Sequence, residues 1–157
     1  MNSQGISPTA SLPPVSPAPP LALSSAPTFQ ATLEKHLLAI QNRDLVALAD
    51  TVSLEQIVLI TAEGRLVTSS QEFLAMHRDW FEGGDWTMDI VPVRVFEGPD
   101  VGVAILRLDY REEKADEEPR RQESFLTLTF EKHDDRWEMV HDQNTPVRRK
   151  APSPDAQ

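Results

Sequence analysis

The run Asp135-Arg136-Trp137-Glu138-Met139-Val140-His141-Asp142-Gln143-Asn144-Thr145 decides the architecture. Taken with the period of two that a strand imposes, Trp137, Met139, His141, Gln143 and Thr145 share one face, which passes from apolar to polar. Such a gradient suits the wall of a pocket that is closed at one end and wet at the other. Upstream, Asp134-Asp135 serves as a two-residue hairpin turn that pairs 133 with 136. Leu128 then stands beside His141, and Leu126 beside Gln143. The inward face of the penultimate strand becomes Ser124, Leu126, Leu128 and Phe130, which carries the same gradient.

Earlier segments supply the rest of the fold. Thr28 caps a helix with the inward stripe Phe29, Leu33, His36, Leu37 and Ile40, and Asp44 caps a short second helix. A β-branched strand at 55–61 turns at Ala62-Glu63-Gly64-Arg65 into a brief strand at 66–68. Ser69 and Glu72 form a capping-box pattern for a third helix, whose stripe is Phe73, Leu74, His77, Trp80 and Phe81 and whose stop is Gly83-Gly84. Strands at 86–96, 101–112 and 120–132 precede the terminal run. Helices segregated against one face of a bent antiparallel sheet make an α+β cone, with three helices on the concave face.

Composition narrows the function classes. Acidic residues outnumber basic ones 25 to 15, for a formal charge of −10, which argues against a nucleic-acid or anionic-membrane surface. The absence of cysteine excludes a disulfide framework, a thiolate nucleophile and Cys-ligated zinc. No Gly-rich phosphate loop or other cofactor signature appears, and none is expected. His133-Asp134-Asp135 with His141-Asp142 is not read as a metal site, because the triplet falls at a turn. The 112–118 stretch lacks the glycine and spacing of a calcium loop and reads as a solvated hairpin tip. Residues 1–27 hold seven of the 13 prolines and read as a disordered leader, with a PxxP-like spacing at Pro14 and Pro17. Residues 28–147 form the domain and 148–157 a polar tail. With no secretory or membrane-spanning pattern, a cytoplasmic location is expected.

Two helices, a hairpin, a third helix and a four-strand meander ending in Trp137, Val140, His141 and Thr145 resemble the nuclear-transport-factor-2-like superfamily. The resemblance covers residues 29–146 and implies a cystatin-like α+β roll. It is strongest with the SnoaL-like proteins and the association domain of calmodulin-dependent kinase II, through Val93-Arg94-Val95, Ala104-Ile105-Leu106-Arg107-Leu108 and the terminal run. The kinase-domain resemblance implies that Arg107 points into the cavity and suits carboxylates, with Asp109 as its pairing charge. That orientation follows if 111 pairs with 120, which sets Arg107 beside Ser124. A slip of one residue reverses it, leaving Ala104, Leu106, Leu108 and Tyr110 in the core and Arg107 in solvent. With Arg107 inside, Leu106, Leu108, Tyr110 and Phe125 form an apolar outer face, and the superfamily's habit implies a homodimer through it.

The expected polar end of the pocket is therefore Arg107, Ser124, His141, Gln143 and Thr145, with Trp80, Trp86 and Trp137 as apolar walls and His36 on the first helix. His141 is the remaining candidate base, but a satisfied histidine near the pocket floor is the favoured reading, and for His36 and His77 core or pocket-wall packing is favoured over a functional role. Set against the ketosteroid isomerases, the chain has His36, Leu128 and Thr61 where those enzymes hold their oxyanion donors and base, so that mechanism is not expected. The expected function is a dimeric small-molecule-binding domain for an anionic or carboxylate ligand, leaning away from catalysis. The alternatives are an isomerase, cyclase or dehydratase using a pocket His or Asp, and an oligomerisation hub.

Overall fold

A computed structural model describes residues 26–148. The leader expected at 1–27 and the tail at 148–157 fall almost wholly outside the described residues. Helix α1 spans Phe29–Gln41 and is capped by the Thr28 hydroxyl, which accepts from the Ala31 amide at 3.2 Å. Helix α2, Leu45–Ala49, is capped by Asp44. Strands β1 (Val58–Ile60) and β2 (Leu66–Val67) form the first hairpin. Helix α3, Ser70–Glu82, starts at Ser69, whose hydroxyl accepts from the Glu72 amide; the Glu72 carboxylate turns to Arg65, so the reciprocal half of the capping box is not made.

Strands β3 (Asp85–Glu97), β4 (Val101–Glu113), β5 (Arg120–His133) and β6 (Arg136–Pro146) complete one six-stranded sheet in the order β2-β1-β6-β5-β4-β3. It is antiparallel except where β1 runs parallel to β6. The β5–β6 turn has Asp134 and Asp135 at φ 48° and 64°, the two left-handed residues that a type I′ hairpin requires. The sheet is curved and unclosed, and the whole is a cone-shaped, cystatin-like α+β fold.

Even-numbered residues of β4 and β5 face the helices. Ala104, Leu106, Leu108, Leu126, Leu128 and Phe130 are buried there. Phe29 locks α1 down, its ring centroid 5.6 Å from Phe130 and 5.3 Å from Trp137. Gly102 lies beneath that ring, where a Cβ would come within 2.5 Å of it. At the other end, Trp80 of α3 stacks on Trp86 at 4.5 Å, and the Trp86 indole donates to the Trp80 carbonyl. The Arg43 guanidinium covers the outer face of Trp86.

Two registers differ from those expected. Glu112 pairs with Arg120, so Arg107 stands opposite Phe125 rather than Ser124. Directly paired residues share a face, and both point outward. In β6 the ladder runs from Thr129↔His141 to Phe130↔Met139, leaving Val140 as an extra bulged residue. A bulge inverts the alternation beyond it. Trp137 and Met139 point inward as expected, but past Val140 the inward residues are Asp142 and Asn144.

The consequences are corrections. His141 and Gln143 pair with Thr129 and Thr127 on the outer face, and Thr145 is exposed beside Phe125. Arg107 pairs there with Glu123, and Asp109 with Arg121 and Arg111. Leu106 and Leu108 are buried within the cone and Tyr110 is half-buried, so of the dimer face expected from the sequence only Phe125 is exposed.

Candidate functional site

Successive inward rows of the sheet build the wall of the site. Leu59, Asp142, Leu128 and Ala104 form one row across β1, β6, β5 and β4. Asn144, Leu126 and Leu106 form the next, followed by Ser124 and Leu108, then Gln122 and Tyr110, and finally Arg120 and Glu112. Helices α1 and α3 roof this wall with Ile40, Met76, His77 and Trp80, and the turn after β1 adds Thr61 to Glu63. All of these except Leu128, Ala104 and Leu106, which lie in the core beneath, line a cavity of about 410 Å³, within the range that small-molecule sites occupy.

Asp142 is the sole carboxyl in its row, flanked by Leu59 and Leu128. It is buried, and its Oδ1 has no hydrogen-bond partner. Burial penalises the charged form and pushes the carboxyl up to about 7. Asn144, two residues on and on the same face, also holds a buried Oδ1 without a partner. Buried polar atoms are nearly always satisfied, so two shielded orphans on residues that line one cavity make this stretch of wall polar and under-satisfied.

His77 lines the opposite side of the cavity. Its ring lies 4.1 Å from that of Phe73 and packs edge-on to Trp80 and Phe81. Nδ1 is 2.8 Å from the Phe73 carbonyl, which can only accept, so Nδ1 carries the hydrogen and Nε2 the lone pair. Burial lowers its pKa, outweighing that hydrogen bond, and the ring is neutral near pH 7.

His36 sits behind the cavity, fully buried with its ring edge-on to Phe130. Thr51 gives its one hydroxyl proton to the Leu48 carbonyl at 2.7 Å, so it accepts from His36 Nδ1 at 2.8 Å. The remaining Nε2 has no partner. Burial, reinforced by His77, drives the pKa down to about 3.

Of the residues expected from the sequence, the structure brings Ser124 and Trp80 to the cavity. Trp86 supports it from behind Trp80, Trp137 lies in the core under Phe29, and His36 lies behind the wall. Arg107, Asp109, His141, Gln143 and Thr145 are outside. Sequence reasoning missed Asp142, Asn144, Gln122 and Arg120 as lining residues. Asp142 and Asn144 were one bulge away from detection, and Gln122 and Arg120 continue the Ser124–Leu126 alternation.

A family model described as a SnoaL-like domain matches residues 30–147. The chain belongs to the SnoaL-like domain family. No curated protein matches it in sequence. Among solved structures, the SnoaL-like chain superposes on a candidate calcium/calmodulin-dependent protein kinase type II association domain from Thiobacillus denitrificans. Identity there is 18% and the TM-score 0.66, covering 78% of this chain and 97% of that one. A ketosteroid isomerase-like protein from Erwinia carotovora atroseptica gives 15% and 0.65, with coverages of 81% and 99%. An uncharacterised protein with a cystatin-like fold from Caulobacter vibrioides gives 18% and 0.63, with coverages of 81% and 89%. At these identities the structural likeness establishes the fold alone. Among the described residues no helix is long and apolar enough to cross a membrane, and no group of His, Asp and Glu is arranged to hold a metal ion.

Proposed function

We propose that this SnoaL-like domain binds a small molecule in the cone and that Asp142 moves a proton there. One observation carries the reading. A carboxyl with an unpartnered oxygen, wedged between leucines, lines a cavity of about 410 Å³. A group titrating at about 7 can give or take a proton at neutral pH, which an ordinary carboxylate does poorly. His77 supplies the complementary group, a neutral imidazole whose Nε2 is free to accept.

The two groups suit a carbonyl compound. Asp142 donates a hydrogen bond to the carbonyl oxygen, and His77 takes the proton from the adjacent carbon. The C–H pair becomes a C=C bond, the carbonyl π pair moves to oxygen, and oxygen takes the Asp142 proton. The product is an enol, which leads onward to isomerisation, cyclisation or loss of a β-substituent. An enzyme is thereby favoured over a silent binding domain, and a solved protein named as ketosteroid isomerase-like shares the fold. The test is deuterium exchange in D2O with a panel of enolisable ketones, read by mass spectrometry. Incorporation at the α carbon that falls more than tenfold in both Asp142→Asn and His77→Gln supports the assignment; exchange unchanged in Asp142→Asn refutes it.

A homodimer is a second proposal, favoured by the outer face of β3 to β5. Val91, Phe96 and Phe125 are exposed there among the paired charges Arg107–Glu123 and Asp109–Arg121. A patch with apolar groups and both signs of charge can complement its own copy across a twofold axis. Sedimentation should show a dimer that Phe125→Glu dissociates; a wild-type monomer at micromolar concentration would end this proposal.

A further inference from the structure

The inward face of β5 steps from Leu128 and Leu126 through Ser124 and Gln122 to Arg120 at the cavity mouth. Arg120 differs from the other cation on the cavity. Lys114 is 3.6 Å from Glu112 and 3.9 Å from Glu117, so its charge is answered. Glu112 is the residue directly across the ladder from Arg120, yet its carboxylate is engaged by Lys114. The Arg120 guanidinium donates only to the Gln122 amide oxygen, at 3.1 Å, and no carboxylate among the described residues lies within ion-pair distance. In a chain of net charge −10, an arginine without a carboxylate beside a cavity is notable. Four of its five N–H donors remain, in the planar fork that matches a carboxylate.

Between the mouth and the unpartnered oxygens of Asp142 and Asn144 the wall is largely apolar. Leu126, Leu108, Met88, Met76 and Trp80 supply it. Asp142 is level with Leu128, and Leu128 is eight residues from Arg120 along β5, which is roughly 27 Å of strand before curvature shortens it.

We propose that Arg120 is a carboxylate-binding subsite and that the ligand is an elongated amphiphile. Its hydrogen-bonding head lies at Asp142 and Asn144, its apolar body crosses the leucine and methionine wall, and its terminal carboxylate forks onto Arg120. The proposal rests on the cone being the ligand site and adds the ligand's class and orientation. It also returns the anion to a cavity arginine after Arg107 proved to lie outside.

The test is calorimetric titration with ω-hydroxypalmitate, its methyl ester and ω-hydroxyhexanoate. Wild type should bind the long acid at least tenfold more tightly than the ester and the short acid. Arg120→Gln, a change at an exposed position, should abolish the preference over the ester. Asp142→Leu should weaken acid and ester alike. Equal binding of acid and ester to wild type, or a preference that survives Arg120→Gln, overturns the subsite, while loss of affinity in Asp142→Leu would still uphold the cone. If neither long probe binds, the subsite and this reading of the cone fall together.

Discussion

Leu128 stands directly across the ladder from Asp142, so a fully buried leucine and a carboxyl share one inward face. That pairing sets the electrostatics of the site. An acid placed between Leu128 and Leu59 loses its hydration and gains no cation in return, so it keeps its proton to about 7.

The same fact predicts an unusual dependence of stability on pH. The Asp142 carboxyl of the unfolded chain titrates near 3.8 and that of the folded chain at about 7. Between those values the folded state holds a proton that the unfolded state has released, so this group makes stability fall as pH rises and then level off. The full effect is on the order of 4 kcal/mol. Asp142→Asn removes it, and urea unfolding should show the variant more stable than wild type at pH 8 and much closer to it at pH 4. A wild type more stable than the variant at pH 8 would contradict the buried acid.

His36 acts with the opposite sign. Its folded pKa of about 3 lies below the ordinary imidazole value of 6.5, so the unfolded state gains a proton first and stability falls as pH drops from 6.5 toward 3. His77 is shifted in the same direction and adds to that limb. His36→Gln keeps a donor for Thr51 and removes the titration. Its acid limb should be shallower than that of wild type in urea midpoints measured from pH 7 to pH 3, though not absent.

Gly102 is predicted to be intolerant of any side chain. Alanine would push its Cβ into the fully buried Phe29 ring, which Phe130 and Trp137 hold in place. Overpacking of this kind costs about 1–3 kcal/mol. Gly102→Ala should lower the thermal midpoint by several degrees, and an unchanged midpoint would mean the α1–sheet contact is looser than described.

Arg107→Ala should be nearly silent. Its pair with Glu123 is 3.3 Å long with the arginine side chain 56% exposed, a geometry that contributes less than about 1 kcal/mol. Ligand affinity in the cone should not change, whereas a marked loss would return Arg107 to the cavity.

Much of the fold was legible because its signals are local. Thr28, Asp44 and Ser69 cap the helices they were expected to cap, and Asp134-Asp135 makes the tight turn. The site was less legible because it depends on parity, and two single-residue events invert it. Val140 carries no mark of a bulge, since valine suits a regular strand. The irregularity arises where β6 must satisfy β5 on one side and, on the other, both the Val52 bridge to Met139 and the parallel strand β1. That second constraint comes from a segment some 80 residues earlier in the chain. The register of β4 against β5 hangs on the loop between Glu113 and Arg120, whose polar sequence permits either pairing. One residue there separates an inward Arg107 from an outward one.

The most direct test is the titration of Asp142 itself, followed by carboxyl carbon NMR in protein labelled at aspartate, with Asp142→Asn to assign the signal. A midpoint at about 7 is expected, displaced when a ligand fills the cone. A midpoint near 4, the ordinary carboxylate range, would mean that Asp142 is solvated or paired, and the proton-transfer account would fail.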